Sequence, residues 1–228
     1  MIRLGSLPFL LCAAAMLHGS PAVAQSPVPR PFRFEAGIGV SWMGREPIGT
    51  RSATETTGAG GTSPLFNTSS ELAGAAGLDG RIGVRLSRSL VAEAEASYLE
   101  PQLRIAISAD AEGAAAVTAS ETVQQFTIGG NIRWMLPGRW WSSRLAPFAL
   151  GGGGYMRQLH DQATLLETGR VYQLGAGVET LLASGRRFHT RGVGARADVR
   201  ALIRSKGIAF DTGSKTSPAA GVSAFVRF

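Results

Sequence analysis

The chain is short of three things. It has one cysteine in 228 residues, only 17% of it is charged, and no second long apolar run follows the one at its N-terminus. One cysteine excludes a disulfide-stapled scaffold and a cysteine-cluster zinc site. A charged fraction below the roughly 25% of soluble domains argues against an ordinary water-facing surface. The missing apolar runs exclude a bundle of membrane helices. What is present points elsewhere. Hydrophobic residues make up 44%, too many for a disordered chain, and glycine is abundant at 30 residues. The mean hydropathy is +0.09 and the isoelectric point about 10.7. The length suits one or two domains. Such a mixture requires apolar and polar residues to be finely interleaved.

Residues 1–24 read as a secretory signal. Arg3 supplies the positive start, residues 4–17 the apolar stretch, and Ala22-Val23-Ala24 the cleavage motif, with the cut between Ala24 and Gln25. The stretch is shorter than the roughly 20 residues of a membrane span. Cys12 follows Leu11 inside this stretch, which does not suit a lipoprotein. The signal takes Arg3 with it, so the net charge falls from +7 to +6. Residues 25–31 are expected to form a short periplasmic lead and residues 32–228 the folded domain.

That domain alternates. Phe32, Phe34, Ala36, Ile38, Val40 and Trp42 share one face, against Arg33, Glu35, Gly37, Gly39 and Ser41. A period of two over this length predicts a strand with one apolar and one polar face. The same pattern returns at residues 78–86, 90–98, 126–136, 171–182, 192–204 and 218–228, and more weakly in the Gly-rich segment 146–156, whose facing is open. These are eight strands near the 9–11 residues of a tilted membrane strand. Long polar connections at 44–77, 99–125, 157–170 and 205–217 alternate with short ones at 87–89, 137–145 and 183–191. The predicted fold is all-β, an eight-stranded antiparallel up-and-down transmembrane β-barrel with four long outer loops and both termini in the periplasm.

Alternation alone does not say which face is inside. A soluble, lipocalin-like cup would turn the apolar face inward. The aromatic residues favour the membrane arrangement. Trp42, Tyr98, Phe126, Tyr155, Tyr172 and Phe210 fall near the long-loop side. Phe32, Phe34, Trp134, Trp140, Trp141, Phe148, Phe188 and Phe228 fall near the short-turn side. Two such bands suit girdles at two membrane interfaces.

These features carry a resemblance. The signal ending Ala22-Val23-Ala24, the strand from Pro147 through Gly151-Gly152-Gly153-Gly154 to Tyr155, the Gly175-Ala176-Gly177-Val178-Glu179 strand and the terminal Phe228 resemble the small eight-stranded outer-membrane barrels of Gram-negative bacteria, the OmpA-like and OmpX-like group. The resemblance implies location in the outer membrane, contact with outer-membrane lipid and lipopolysaccharide, and a C-terminal signal at Val226 and Phe228 read by the barrel-assembly machinery. The chain stops at the last strand, so no peptidoglycan-binding domain is expected.

A barrel of eight strands is filled by its own side chains. The polar faces place Arg33, Glu35, Arg81, Arg85, Glu93, Glu95, Arg133, Glu179, Arg196, Asp198, Arg200 and Arg227 inside. Unpaired charges there are costly, so an Arg–carboxylate network is expected. Arg81 and Arg85 precede the 87–89 turn and Glu93 and Glu95 follow it, so the hairpin is expected to pair them.

No catalytic, cofactor or metal motif is legible. The glycines at 151–154 lack the Lys-Ser/Thr and following helix of a phosphate loop. His160, with Asp161 and Glu167, is expected in an outer loop, a barrel length from His189. No basic run supports nucleic-acid binding. Three roles remain: a structural or surface-interaction barrel, with loop 44–77 mobile and taking a surface ligand through Leu65 and Phe66; a narrow pore for small solutes or ions; and an outer-membrane enzyme acting on lipid. The first is favoured, and no enzyme or cofactor is expected.

Overall fold

The structure, a computed structural model, describes residues 34–56, 58, 60–137, 145–160, 166–183, 192–208 and 213–228. The signal, the lead, Phe32, Arg33, Trp140, Trp141, Asp161, Phe188, His189 and Phe210 lie outside the described residues. The strands are β1 (Phe34–Met43), β2 (Glu46–Thr56), β3 (Thr62–Leu72), β4 (Ala75–Arg85), β5 (Leu90–Leu99), β6 (Gln102–Ser108), β7 (Val117–Met135), β8 (Leu145–His160), β9 (Leu166–Ala183), β10 (Gly192–Lys206) and β11 (Lys215–Arg227).

Eight of them close into an antiparallel barrel in the order β1, β4, β5, β7, β8, β9, β10, β11 and back to β1. The seam pairs the first and last strands, with Ile38 opposite Ala224 and Val40 opposite Val222. Beyond it the Phe228 amide donates to the Phe34 carbonyl at 2.9 Å. Closure leaves no edge strand in the barrel wall, which a lipid environment requires because no water is there to satisfy an open edge. The outer wall is apolar: Ile38 and Ile128 are each 69% exposed. Arginines and carboxylates fill the inside, so the barrel is inside-out relative to a soluble one, and the lipocalin-like arrangement does not hold.

The eight predicted strands are all present, and several are longer than expected. β7 has 19 residues and β9 has 18, well past what the bilayer needs. Their upper ends rise beyond the outer aromatic band, and a second sheet grows there. β2 pairs with β3, β3 with β6, and β6 with the upper half of β7. The segment 44–77, expected to be mobile, is therefore largely a hairpin. Two register shifts, at Pro47/Gly49 and Ala53/Thr54, break its alternation and hide it from a period-two reading. Its base is held by Ile48 and Leu72, both fully buried. Leu65 and Phe66 are half-buried within β3, and the Leu65 carbonyl accepts from the Ala111 amide at 2.7 Å.

At the other end the β4–β5 turn is tight. Leu86 and Ser87 amides donate to the Leu90 carbonyl at 2.9 and 3.2 Å. The Ser87 hydroxyl accepts from the Ser89 and Leu90 amides, a serine side chain standing in for a backbone turn.

Candidate functional site

The lumen is built in storeys. Nearest the periplasm lies a ring of four charges. Arg133 donates from Nη2 to Glu35 Oε1 at 2.8 Å and from Nη1 to Glu179 Oε2 at 2.5 Å. Arg227 donates from Nε to Glu35 Oε2 at 2.9 Å and from Nη2 to Glu179 Oε1. Every oxygen of the two carboxylates thus receives one guanidinium N–H. Glu93 joins from above: Arg196 Nη1 donates to both its oxygens, at 2.8 and 3.1 Å, and Arg133 Nε stands 3.1 Å away as an ion-pair contact.

Two aromatic rings pack within this storey. Phe148 is fully buried, with the Arg196 guanidinium 4.5 Å from its ring centroid. Phe225 is buried likewise, with Arg227 at 4.6 Å. Cations over rings recover part of the cost of desolvation. Phe148 was expected in the lower lipid-facing band, and the structure corrects this. The β8 parity places Phe148, Leu150 and Met156 inside and Tyr155 outside. The Phe148 ring lies over Gly177, where an added Cβ would meet its Cζ at 2.5 Å. Gly194 gives the same room to Phe225.

The middle storey is polar and cross-linked. Arg200 donates from Nε to Asp198 Oδ1 at 2.5 Å and from Nη1 to Glu95 at 2.7 and 2.9 Å. Asn131 Nδ2 donates to Glu95 at 2.8 Å, and Gln173 Nε2 to Asn131 Oδ1 at 2.6 Å. Arg81 meets Asp79 at 2.9 Å and Asp198 at 3.3 Å. Gly152 faces Asn131 so closely that any Cβ would collide with the amide.

These contacts redraw the hairpin expectation. Arg81 does stand opposite Glu95 in register, but only at 3.9 Å, and its closer partners lie on its own strand and across the lumen. Glu93 pairs with Arg133 and Arg196, not with Arg85. Arg85 sits at the periplasmic rim and donates to the Arg88 carbonyl at 2.7 Å. Cross-strand neighbours are only one of the directions available inside a narrow tube. Asp79, on the same polar face of β4 as Arg81, is buried and joins the network. The sequence has two lysines, Lys206 and Lys215, against 21 arginines, and every cation in these two storeys is arginine. The planar fork can serve two carboxylates at once, which a lysine ammonium does less well.

Above the network is a cavity of about 70 Å³, with Glu95, Gln173 and Arg200 on one side and Met43, Leu99 and Leu202 on the other. An apolar cap adjoins it. Met43, Ile48, Leu72, Leu99, Leu103, Val123 and Ile208 pack together there, drawn from the barrel rim and from β2, β3 and β6. Arg204 pairs with Glu46 inside the cap. Burial pushes the Glu46 carboxyl above its ordinary value, and Arg204 offsets only part of that. Gln158 donates to Gln125 at 2.9 Å and accepts from the Ile208 amide at 3.2 Å.

His160 belongs to β8 rather than an open loop. Its Nδ1 stands 3.0 Å from Glu121 Oε1, and its Nε2 is buried. Glu167 lies in β9. Among the described residues no group of three or more His, Cys, Asp or Glu could hold a metal ion. Val226 faces outward beside the seam and Phe228 stands at the lower aromatic band with Phe34 and Trp134. Trp42, Phe126, Tyr155 and Tyr172 form the upper band.

An apolar belt between two aromatic bands, around a closed and charged lumen, defines an eight-stranded outer-membrane β-barrel. No family model matches the chain, and no curated protein matches it. Among solved structures it is similar to Neisserial surface protein A, NspA, at 15% identity over 85% of this chain and 95% of that one, with a TM-score of 0.48. It is also similar to Ail, the attachment invasion locus protein of Yersinia pestis. In complex with the heparin analogue sucrose octasulfate, Ail matches at 7% identity over 86% of this chain and 99% of that one, TM-score 0.41. A second Ail structure matches at 8% identity over 86% and 100%, TM-score 0.37.

Proposed function

We propose that the protein is a sealed outer-membrane barrel whose role is to hold a structured sheet above the membrane for surface interaction. The observation that carries this is the sheet β2–β3–β6 built on the upper half of β7. A barrel that served only as a wall would not need strands of this length. Thr and Ser side chains cover the outer part of β2 and β3, with exposed Arg51 among them, a polar face suited to a polar ligand. The region 44–77 is the proposed ligand-bearing part.

The same geometry disfavours a pore. Arg133 is fully buried at the centre of the lower ring, and the apolar cap stands over the only cavity of note among the described lumen residues. An enzyme acting on lipid is disfavoured by the His160 ring, whose second nitrogen is buried away from any substrate. We read the protein as non-enzymatic and without cofactor. Lipopolysaccharide around the belt and the barrel-assembly machinery, acting on Val226 and Phe228, complete the proposed partners, and nucleic acid is not among them.

The test compares cells carrying the full chain with cells in which residues 50–66 are replaced by a short Gly-Ser turn. Binding of whole cells to immobilised glycans and matrix proteins should fall while the barrel still assembles. Unchanged binding across the panel, with the truncated protein present at equal amount, would refute the surface role.

A further inference from the structure

A groove of about 580 Å³ lies on the lipid-facing side of β7, β8 and β9, at the upper aromatic band. Phe126, Ile128, Tyr155 and Leu159 line it, and Arg157 stands at its upper end. Tyr155 is 70% exposed, so the groove opens outward, away from the charged lumen. Nearby on β9, Tyr172 lies over Gly153, where an added Cβ would meet its Cδ1 at 3.0 Å.

A second arginine belongs to this place. Arg170 is the register partner of Tyr155, and Arg157 is the partner of both Phe126 and Thr168. Arg157 and Arg170 are therefore diagonal neighbours on adjacent strands, about 7–8 Å apart at the backbone. Both are exposed on the outer face. Among the described residues neither side chain takes part in a hydrogen bond or ion pair, whereas the side chains of Arg133, Arg196, Arg200, Arg204 and Arg227 all meet carboxylates. Two like charges so placed repel each other. The repulsion is relieved by an anion between them. Aromatic bands mark the headgroup level, and the row immediately above the band is where lipid phosphates lie.

We propose that this face of β7–β9 is a binding site for a phosphate-bearing glycolipid of the outer leaflet. Its phosphate bridges Arg157 and Arg170, and one acyl chain lies along Phe126, Ile128 and Tyr155. Arginine suits this task because its fork meets two phosphate oxygens at once. The site rests on the lipopolysaccharide contact proposed above and gives it a place, but it is separate from the surface sheet and does not depend on that sheet's role.

Native mass spectrometry of the full barrel, refolded in a neutral detergent, tests it. The probe is diphosphoryl lipid A, and the control is the same lipid with its phosphates removed. The expected result is one retained equivalent of the phosphorylated lipid. The double variant R157Q/R170Q should bind it at least about tenfold more weakly, and R157K/R170K should recover part of the loss. R88Q, in the β4–β5 turn at the opposite end of the barrel, should bind as the parent does. Both arginines face outward, so the compact unboiled gel band should persist in every variant. Equal binding of the dephosphorylated lipid would overturn the proposal, as would undiminished binding by a folded double variant.

Discussion

Arg133 on β7 and Glu35 on β1 are joined at 2.8 Å across the lumen, although their strands are not neighbours in the barrel wall. The bond bridges 98 positions of sequence. It turns two separate strand faces into one packed cross-section, which is what closes the tube at that height.

The first prediction follows from that bond. Arg133→Leu removes the cation facing Glu35, Glu93 and Glu179 and leaves three buried carboxylates with fewer partners. Breaking one side of a buried ion pair costs about 3–5 kcal/mol. The unfolding midpoint in urea, measured in lipid vesicles, should fall accordingly. A change within the error of the parent would show that the ring does not support the fold.

Gly177 gives the second. A Cβ there would meet the Ala197 carbonyl oxygen at 2.3 Å and the Phe148 ring at 2.5 Å, so Gly177→Val should crowd β10 and push the ring against Arg196. Overpacking of this kind costs about 1–3 kcal/mol. The temperature at which the compact unboiled gel band disappears should drop, and the paired change Gly177→Val with Phe148→Ala should restore part of it.

The third concerns the outer wall. Ile38 stands midway between Phe34 and Trp42 on β1 and faces lipid. Ile38→Arg should destabilise the inserted barrel by about 2–4 kcal/mol. In a soluble barrel with the same exposed position the change would be nearly neutral. Urea titration in vesicles separates the two.

The fourth concerns the cap. Leu72→Ala opens space among Ile48, Leu103 and Ile208, a loss of about 2–5 kcal/mol in packing at a core site. The β2–β3 hairpin should become sensitive to protease on intact cells, while the barrel strands stay protected. Equal resistance in parent and variant would show that the cap is not what holds the hairpin.

Much of this was legible in the sequence. The alternation of Phe34 to Trp42, or of Phe126 to Trp134, states both the strand and its two faces. It also placed Glu35, Arg133, Glu179 and Arg227 in one compartment. Their pairing was not legible, because it depends on how far the strands are staggered around the closed barrel, and no local pattern encodes that. Phe148 was misplaced because the glycines at 151–154 carry no side chains by which to read the parity of β8. The strands β2 and β3 were missed because their register shifts interrupt the period, and because Ile48 and Leu72 acquire their meaning only when Leu103 and Val123 arrive from elsewhere in the chain. Arg157 and Arg170 fell at the two ends of the connection 157–170, and only the length of β8 and β9 sets them side by side.

Conductance across planar lipid bilayers tests the account at its centre. A lumen filled by the Arg133 ring and the Arg200 network, beneath an apolar cap, should give no unitary current steps above the lipid background once the folded protein is inserted. Reproducible ohmic steps that scale with salt concentration would contradict a sealed barrel, and with it the reading of the protein as a scaffold for surface interaction.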